Sequence, residues 1–444
     1  MKRAIVLSGG GSKGAYEAGF LCAAKELNQH FDIVTGTSIG ALNGALVAMG
    51  DYEGLEYTWN ILDMDHVFNN APDLTDLKDD FMTTSLFNKE EGNNLAELKE
   101  SIVQQTSLAQ SFLRYYFKNK GADNTPFVEH CRGLMDEERL LSSPIDFGIC
   151  TVQFPSMKAC FKTKSEMERG HMLDYLLASS ACFPVFPMTE IEGNKYIDGG
   201  FSDNLPIDLA LDMGADEIVV VDMHLIPVHP QYINRPSILY SCPPVDLGGF
   251  MDFNKDVLER NKRLGYLMAY KLFGNYEGNH YTFLPSSQTV FHDYYKQLLM
   301  MEKEMRGFFN SNASELTSLL LEANHQIILN LKDYTYITLD FIGELLGFDD
   351  LKVYAFEEYK NMILNAFEKY MKKDYFPKEL SPTKVNLSFL QSHLNRESIV
   401  GFFLHQMKYK ESMDMKSYYT FCKKELMMAS LIYLLMGGVT DEHH

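Results

Sequence analysis

The chain reads as an α/β protein: an α/β/α layer on a parallel sheet, bearing a helical insertion, followed by an all-helical C-terminal region. Three observations predict it. Apolar runs of strand length stand at residues 4–7, 33–35 and 217–221. The first two each lead straight into a glycine-containing turn and then a segment of small, helix-compatible residues, an order that implies parallel strands joined by right-handed crossovers. Beyond Asp222 the strand signal gives way to prolines and then to long amphipathic helical patterns.

The elements follow in order. Residues 1–50 alternate strand, helix, strand, helix, with the second helix at 41–48. Residues 52–140 lose the strand signal; polar and helical in pattern, with turn clusters at 69–72 and 121–124, they read as an insertion able to cover one end of the sheet. Strands return at 145–153 and 158–163, spaced as a hairpin. A helix at 172–179, extended segments at 188–191 and 195–197, a helix at 206–213 and the strand at 217–221 complete the layer. Pro227, Pro230, Pro236, Pro243 and Pro244 mark a connector. Helical patterns at 252–272, 294–309, 313–324, 350–373 and 412–436 then fill the second half. The expected domains are 1–225, with its insertion, and 226–444, whose role the pattern leaves open.

Composition excludes several classes. A formal net charge of −20 gives no basic field for nucleic acid. Seven cysteines, odd in number and without paired spacing, indicate reduced thiols and a cytoplasmic protein, neither a disulfide framework nor a zinc site. No cluster of His, Cys and Asp has ligand spacing, so neither metal nor organic cofactor is expected. The first strand is expected from Arg3, where a secretory leader would stand. Residues 426–436 form the longest apolar stretch near the C-terminus, well short of the roughly 20 residues that span a bilayer.

Chemistry concentrates in two turns. Gly36-Thr37-Ser38-Ile39-Gly40 is a G-x-S-x-G pentapeptide between strand and helix, the pattern of a nucleophile elbow that exposes a serine hydroxyl. Ser8-Gly9-Gly10-Gly11-Ser12-Lys13-Gly14 follows the first strand, and a glycine run opening a helix presents backbone N–H groups toward one point, suiting an anion or a developing oxyanion. Gly9, Gly11 and Gly14 also satisfy the dinucleotide fingerprint. That reading needs an acid at the end of the second strand; Asp32 stands at its start, and its end carries the serine. Ala15 and Tyr16 stand where a P-loop needs Lys and Ser/Thr. A serine nucleophile needs a base, and two candidates emerge: Asp198, which ends a strand ahead of Gly199-Gly200, and His224, just after Asp222.

The three motifs, Gly9 to Gly14, Gly36 to Gly40 and Asp198-Gly199-Gly200, occur in the order and contexts of the patatin-like phospholipase family. The run from Ser179 to Asp222 also resembles that family's, so the likeness covers residues 3–225. It implies a Ser38–Asp198 dyad without histidine, an oxyanion hole on the N–H groups of Gly9, Gly10 and Gly11, and hydrolysis of the fatty-acyl esters of phospholipids or related lipids. Lys13 departs from the arginine many members carry in the glycine loop, keeping the charge but losing its bidentate geometry. Two other readings use the same residues: a Ser-His-Asp esterase with His224 as base, or a catalytically inactive lipid-binding or scaffold protein. Residues 351–424 hold 13 Lys/Arg against 8 Asp/Glu, interleaved with Tyr359, Tyr370, Tyr375, Phe376, Met407 and Tyr409. Such a segment could rest on anionic lipid as a peripheral membrane contact, or form an amphipathic bundle with an aromatic core.

Overall fold

A computed structural model describes residues 1–69, 122–309, 314–324, 329–373, 375–376, 395–409 and 420–437. Most of the expected insertion, residues 70–121, lies outside the described residues. So do parts of the expected helices at 313–324 and 412–436 and of the basic segment. The chain divides into two compact units, Met1–Leu272 and Phe273–His444.

The first unit is built on one mixed sheet. Five strands run parallel: β1 (Arg3–Leu7), β2 (Ile33–Thr37), β3 (Asp146–Phe154), β7 (Glu217–Val221) and β8 (Ile238–Ser241). β4 (Lys158–Thr163) and β6 (Asn194–Asp198) run antiparallel to β3, and β5 (Thr189–Ile191) pairs antiparallel with β6. The order is β5-β6-β3-β2-β1-β7-β8, with β4 also on β3. β1 and β2 are buried at nearly every position because both faces are covered. Ala4, Val6 and Ile33 pack with Ile207 and Ala210 of α8 (Ile207–Asp212). On the opposite face, Gly44 of α2 (Ile39–Ala48) comes against Val34, Leu7 and Phe147.

β3 is the longest strand, and its pairing is the key to the site. β4 takes Gly148 to Gln153 on one edge. On the other edge β2 occupies the first part, with Thr37 opposite Cys150, and β6 takes over from there, with Asp198 opposite Thr151. Since β2 runs with β3 and β6 against it, their C-terminal ends meet head to head on adjacent β3 residues.

Around the sheet lie α1 (Gly14–Glu26), α3 (Tyr52–Ile61), α4 (Met64–Val67), α5 (Thr125–Leu134), α6 (Glu137–Ser142), α7 (Met172–Ser179) and α9 (Lys255–Leu272). The expected hairpin of β3 and β4 and the helices at 172–179 and 206–213 are present. β8, inside the expected connector, was not anticipated. The described flanks of the insertion are helical, and Phe68 and Phe127 both stack on Phe186, at 5.1 and 5.7 Å between ring centroids. Residues 226–272 pack with the layer. α9 lies directly on α1, where a Cβ on Gly19 would stand 1.8 Å from the Lys262 carbonyl oxygen, so the helices cross in backbone contact.

Among its described residues the second unit is mostly helical, with a two-residue parallel pairing of Thr282–Phe283 with Val353–Tyr354 and an antiparallel bridge between Glu277 and Phe283. Its helices are α10 (Val290–Phe309), α11 (Glu315–Asn324), α12 (Leu331–Leu346), α13 (Phe356–Phe367), α14 (Arg396–Tyr409) and α15 (Lys423–Leu435). Tyr359 and Tyr370, two of the aromatic residues of the expected basic face, are buried in this unit's core. Several of its lysines are paired: Lys352 with Glu358, Lys360 with Glu357, Lys369 with Glu397 and Lys423 with Glu315. The described part of the segment therefore follows the amphipathic-bundle alternative.

Candidate active site

Ser38 leaves β2 with φ 56° and ψ −127°, left-handed backbone that a non-glycine residue holds only where its surroundings fix it, at a cost of about 1–3 kcal/mol. The surroundings do fix it. The Ala41 N–H donates to the Ser38 carbonyl at 2.9 Å, and the Ser38 N–H donates to the Ser179 hydroxyl at 3.0 Å. That hydroxyl in turn donates to the Cys150 carbonyl at 2.6 Å. The turn is too tight for side chains at either flank: a Cβ on Gly36 would lie 2.5 Å from Gly40 backbone, and one on Gly40 2.5 Å from the Ser8 carbonyl oxygen.

The Ser38 hydroxyl donates to Asp198 Oδ2 at 2.6 Å, and Asp198 Oδ1 accepts the Gly200 N–H at 2.8 Å. Asp198 is buried, and burial pushes its carboxyl up to about 7; the hydrogen bonds from Ser38 and Gly200 pull the other way without overcoming it.

The segment after β6 ties the three motifs together. The Asp203 carbonyl accepts the Thr37 hydroxyl at 2.8 Å, and the Asn204 side-chain amide donates to the Gly9 carbonyl at 3.1 Å. The Gly9 N–H, expected as an oxyanion donor, is given to the Asn204 carbonyl at 3.0 Å and is not free for one. The N–H groups of Gly10 and Gly11 have no protein acceptor among the described residues. Beyond them the loop is fastened by the Ser12 N–H to the Phe250 carbonyl and the Ser12 hydroxyl to the Gly249 carbonyl, at 2.8 and 2.9 Å. Gly14 opens α1, and Lys13 is buried at the loop's end.

His224 reaches Asp222 instead of Ser38: its Nδ1 lies 2.7 Å from Asp222 Oδ1, and it makes no hydrogen bond to the serine. A polar group also lies behind the elbow. Asn43 on α2 donates to Glu17 Oε2 on α1 at 3.0 Å and accepts the Trp59 indole N–H at 2.9 Å. Burial holds the Glu17 carboxyl well above the usual carboxylate range. Ser179 and Asn204 sit inside runs that the sequence reading singled out, though as parts of motifs and without a role. Glu17 and Asn43 give no signal beyond being polar in otherwise apolar helices.

Ser38, Asp198, Gly10 and Gly11 line a cavity of about 980 Å³ whose walls include Leu42, Leu62, Val67, Phe127 and Phe186. Such walls suit an aliphatic chain. Among the described residues no group of His, Cys, Asp and Glu could hold a metal ion, and no helix is long and apolar enough to cross a membrane. All seven cysteines are free thiols.

Residues 5–211 match the family described as Patatin-like phospholipase. Among curated relatives, the chain is 22% identical over 335 residues to "Lysophospholipase NTE1" of Meyerozyma guilliermondii, covering 62% of this chain and 19% of the relative. It is 23% identical over 222 residues to "Patatin-like phospholipase domain-containing protein 7" of Mus musculus, covering 50% and 13%. The chain thus spans a fifth or less of the length of either. Among solved structures, VipD from Legionella pneumophila is 13% identical with a TM-score of 0.37, covering 85% of this chain and 88% of that one.

Proposed function

With residues 5–211 a patatin-like phospholipase domain, we propose that this chain is a serine acyl hydrolase cleaving fatty-acyl esters of phospholipids or related lipids. The hydrogen bond of 2.6 Å from Ser38 Oγ to the buried Asp198 carboxylate carries the reading. A serine hydroxyl is a weak nucleophile until a base takes its proton, and a carboxyl lifted to about 7 is matched to that task near neutral pH. Ser38 Oγ attacks the ester carbonyl as its proton passes to Asp198 Oδ2. The negative oxygen of the tetrahedral intermediate takes the Gly10 and Gly11 N–H groups. Protonated Asp198 then returns the proton to the departing alcohol, leaving an acyl-Ser38. Asp198 next deprotonates a water, which attacks the acyl carbonyl. The second tetrahedral intermediate collapses to the fatty acid as Asp198 gives that proton to the departing Ser38 Oγ, which restores the serine and the carboxylate. One preorganised oxyanion donor is worth roughly 10²–10³ in rate. The apolar cavity supports a lipid acyl group as the portion bound.

A fluorophosphonate probe should label Ser38, and Ser38→Ala and Asp198→Asn should each abolish hydrolysis of p-nitrophenyl esters while the folded circular-dichroism spectrum persists. An unlabelled Ser38 in folded protein would remove the catalytic reading. His224→Ala separates the dyad from a triad: the dyad expects most turnover to remain, the triad a loss like that of Ser38→Ala.

A further inference from the structure

Asp222, the residue that follows β7, is fully buried and is not part of the dyad. Its carboxylate is saturated. Oδ1 accepts the His224 backbone N–H at 3.0 Å and faces His224 Nδ1 at 2.7 Å; Oδ2 accepts the Val228 N–H at 2.9 Å and the Tyr240 hydroxyl at 2.7 Å. The two backbone ties fall on either shoulder of Leu225-Ile226-Pro227. A buried acid thus pins a short loop and holds its apex out. That apex is apolar: Ile226 is 72% exposed, Leu225 38% and Val228 37%. On β4, Phe161 is 42% exposed. All four also line the cavity that holds Ser38, so the exposed patch continues into the apolar interior. Of the eight large apolar side chains exposed among the described residues of this unit, these four share that one cavity. Scattered surface apolar residues are ordinary, but a contiguous set around a site mouth marks an interaction surface.

We propose that this rim, Phe161 with the Asp222-pinned loop Leu225 to Val228, docks on the surface of a bilayer with electrically neutral, zwitterionic headgroups. The inference rests on the acyl-hydrolase reading and adds where the protein meets its substrate. Two observations choose the occupant. Continuity between rim and cavity gives an acyl chain a path from hydrocarbon to Ser38 that never exposes it to water. Residues 223–234 contain no Asp, Glu, Lys or Arg, in a chain of net charge −20. The loop therefore brings no carboxylate, lysine or arginine to be desolvated or to recruit anionic lipid. The Lys162 ammonium next to Phe161 lies 4.0 Å from the Glu168 carboxylate, and the whole-chain charge opposes approach to an anionic surface.

The test uses the full chain carrying Ser38→Ala, so that binding is read whether or not the protein hydrolyses lipid. Co-sedimentation with phosphatidylcholine vesicles should be retained between about 0.05 and 0.5 M salt, over which the Debye length shortens about threefold. Ile226→Asp should weaken it roughly tenfold or more, the worth of one apolar side chain at the interface, with Phe161→Ser similar and Ile226→Leu near the parent. Unchanged melting temperatures establish that each variant is folded. No binding by the parent, binding unmoved by Ile226→Asp and Phe161→Ser together, or binding that requires anionic lipid and falls with salt or with charge reversal at Lys372 and Lys373, would each overturn the docking surface. The acyl-hydrolase reading falls on a different result, failure of the wild-type serine to label.

Discussion

Replacing Asp198 by Asn should abolish activity and yet stabilise the fold, by an amount set by pH. The carboxyl stands at about 7 in the folded protein against an ordinary 3.8, because burial penalises its charge. At about 1.36 kcal/mol per pH unit, that displacement corresponds to about 4 kcal/mol of folding free energy. The sign follows from proton binding. Below pH 3.8 the acid is neutral folded and unfolded, and nothing is lost. Between 3.8 and about 7 the unfolded chain releases a proton that the folded chain keeps, so wild-type stability falls as pH rises. Above about 7 the full penalty applies. Asn carries no charge to desolvate; its oxygen can accept from Gly200 and its amide can donate to the Ser38 hydroxyl, with poorer geometry than the present pair. A net gain of about 2–3 kcal/mol above pH 7 is expected, on the order of 5–10 °C in the melting of the Met1–Leu272 unit. Calorimetric melts at pH 4, 5.5, 7 and 8.5 should show Asp198→Asn no more stable than wild type at the acid end, where the poorer hydrogen bonds cost about 1–2 kcal/mol, and increasingly more stable toward pH 7. Equal melting at pH 8.5, or a gap that does not change with pH, would refute the claim that Asp198 is a carboxyl held against its solvation.

Other consequences are accessible to simple assays. On a soluble ester, kcat/KM should fall about tenfold per pH unit below about 7 and level off above it, since only ionised Asp198 accepts the Ser38 proton. Ser179→Ala leaves the Ser38 N–H and the Cys150 carbonyl without their buried partner; it should cost about 1–3 kcal/mol in urea melts and lower kcat more than it raises KM. His280, in the second unit, is opposed by burial, but hydrogen bonds to Asp350 and Glu344 and the nearby Asp340 outweigh it and raise the imidazole to about 9. Its folded value lies above its ordinary 6.5, so the stabilisation is full below pH 6.5 and is lost as pH rises through about 9. His280→Gln should therefore destabilise that unit by about 2 kcal/mol at pH 6 and converge on wild type near pH 10 in thermal melts.

The parallel strands and the serine turn were legible because they are local: an apolar run, a glycine turn and a small-residue helix lie within fifteen residues of one another. What escaped depends on distant packing. β8 is four residues between prolines and exists because β7 offers it an edge, with Ile218 opposite Ile238. α14 shows no helical stripe, because eight consecutive residues from Ile399 to Gln406 are buried and no polar face is left to set a period. α12, by contrast, carried signals that went unread: Asn330 and Asp333 form a reciprocal capping box, and Gly347 closes the helix in a left-handed turn. The net charge of the basic segment, counted along the sequence, leaves its two readings open because it does not show pairing. Lys352, Lys360 and Lys369 face Glu358, Glu357 and Glu397 inside the counted window, and Lys423 faces Glu315 outside it.

Why two residues 160 positions apart make a hydrogen bond is a question about β3. Its edge is shared end to end, Cys150 opposite Thr37 and Thr151 opposite Asp198, so consecutive residues of one strand set the spacing of serine and acid. The same strand supplies the Cys150 carbonyl that holds Ser179, and Ser179 holds the Ser38 backbone. The Thr151 hydroxyl, fully buried, donates to the Ile197 carbonyl at 2.9 Å and fixes the last turn of β6 before Asp198. The distance of 2.6 Å is thus set by sheet register, which cannot drift by less than a whole residue, and a slip of one residue would turn every side chain of β6 to the other face. The glycine loop has no such ruler. It is placed by Asn204, six residues beyond Asp198 on the segment that also bonds Thr37, so acid, serine and N–H donors move as one body. Chemistry that depends on positions within about 0.5 Å is served by this arrangement, because the short segment from Asp198 to Asn204 carries both the acid and the ties to Thr37 and Gly9.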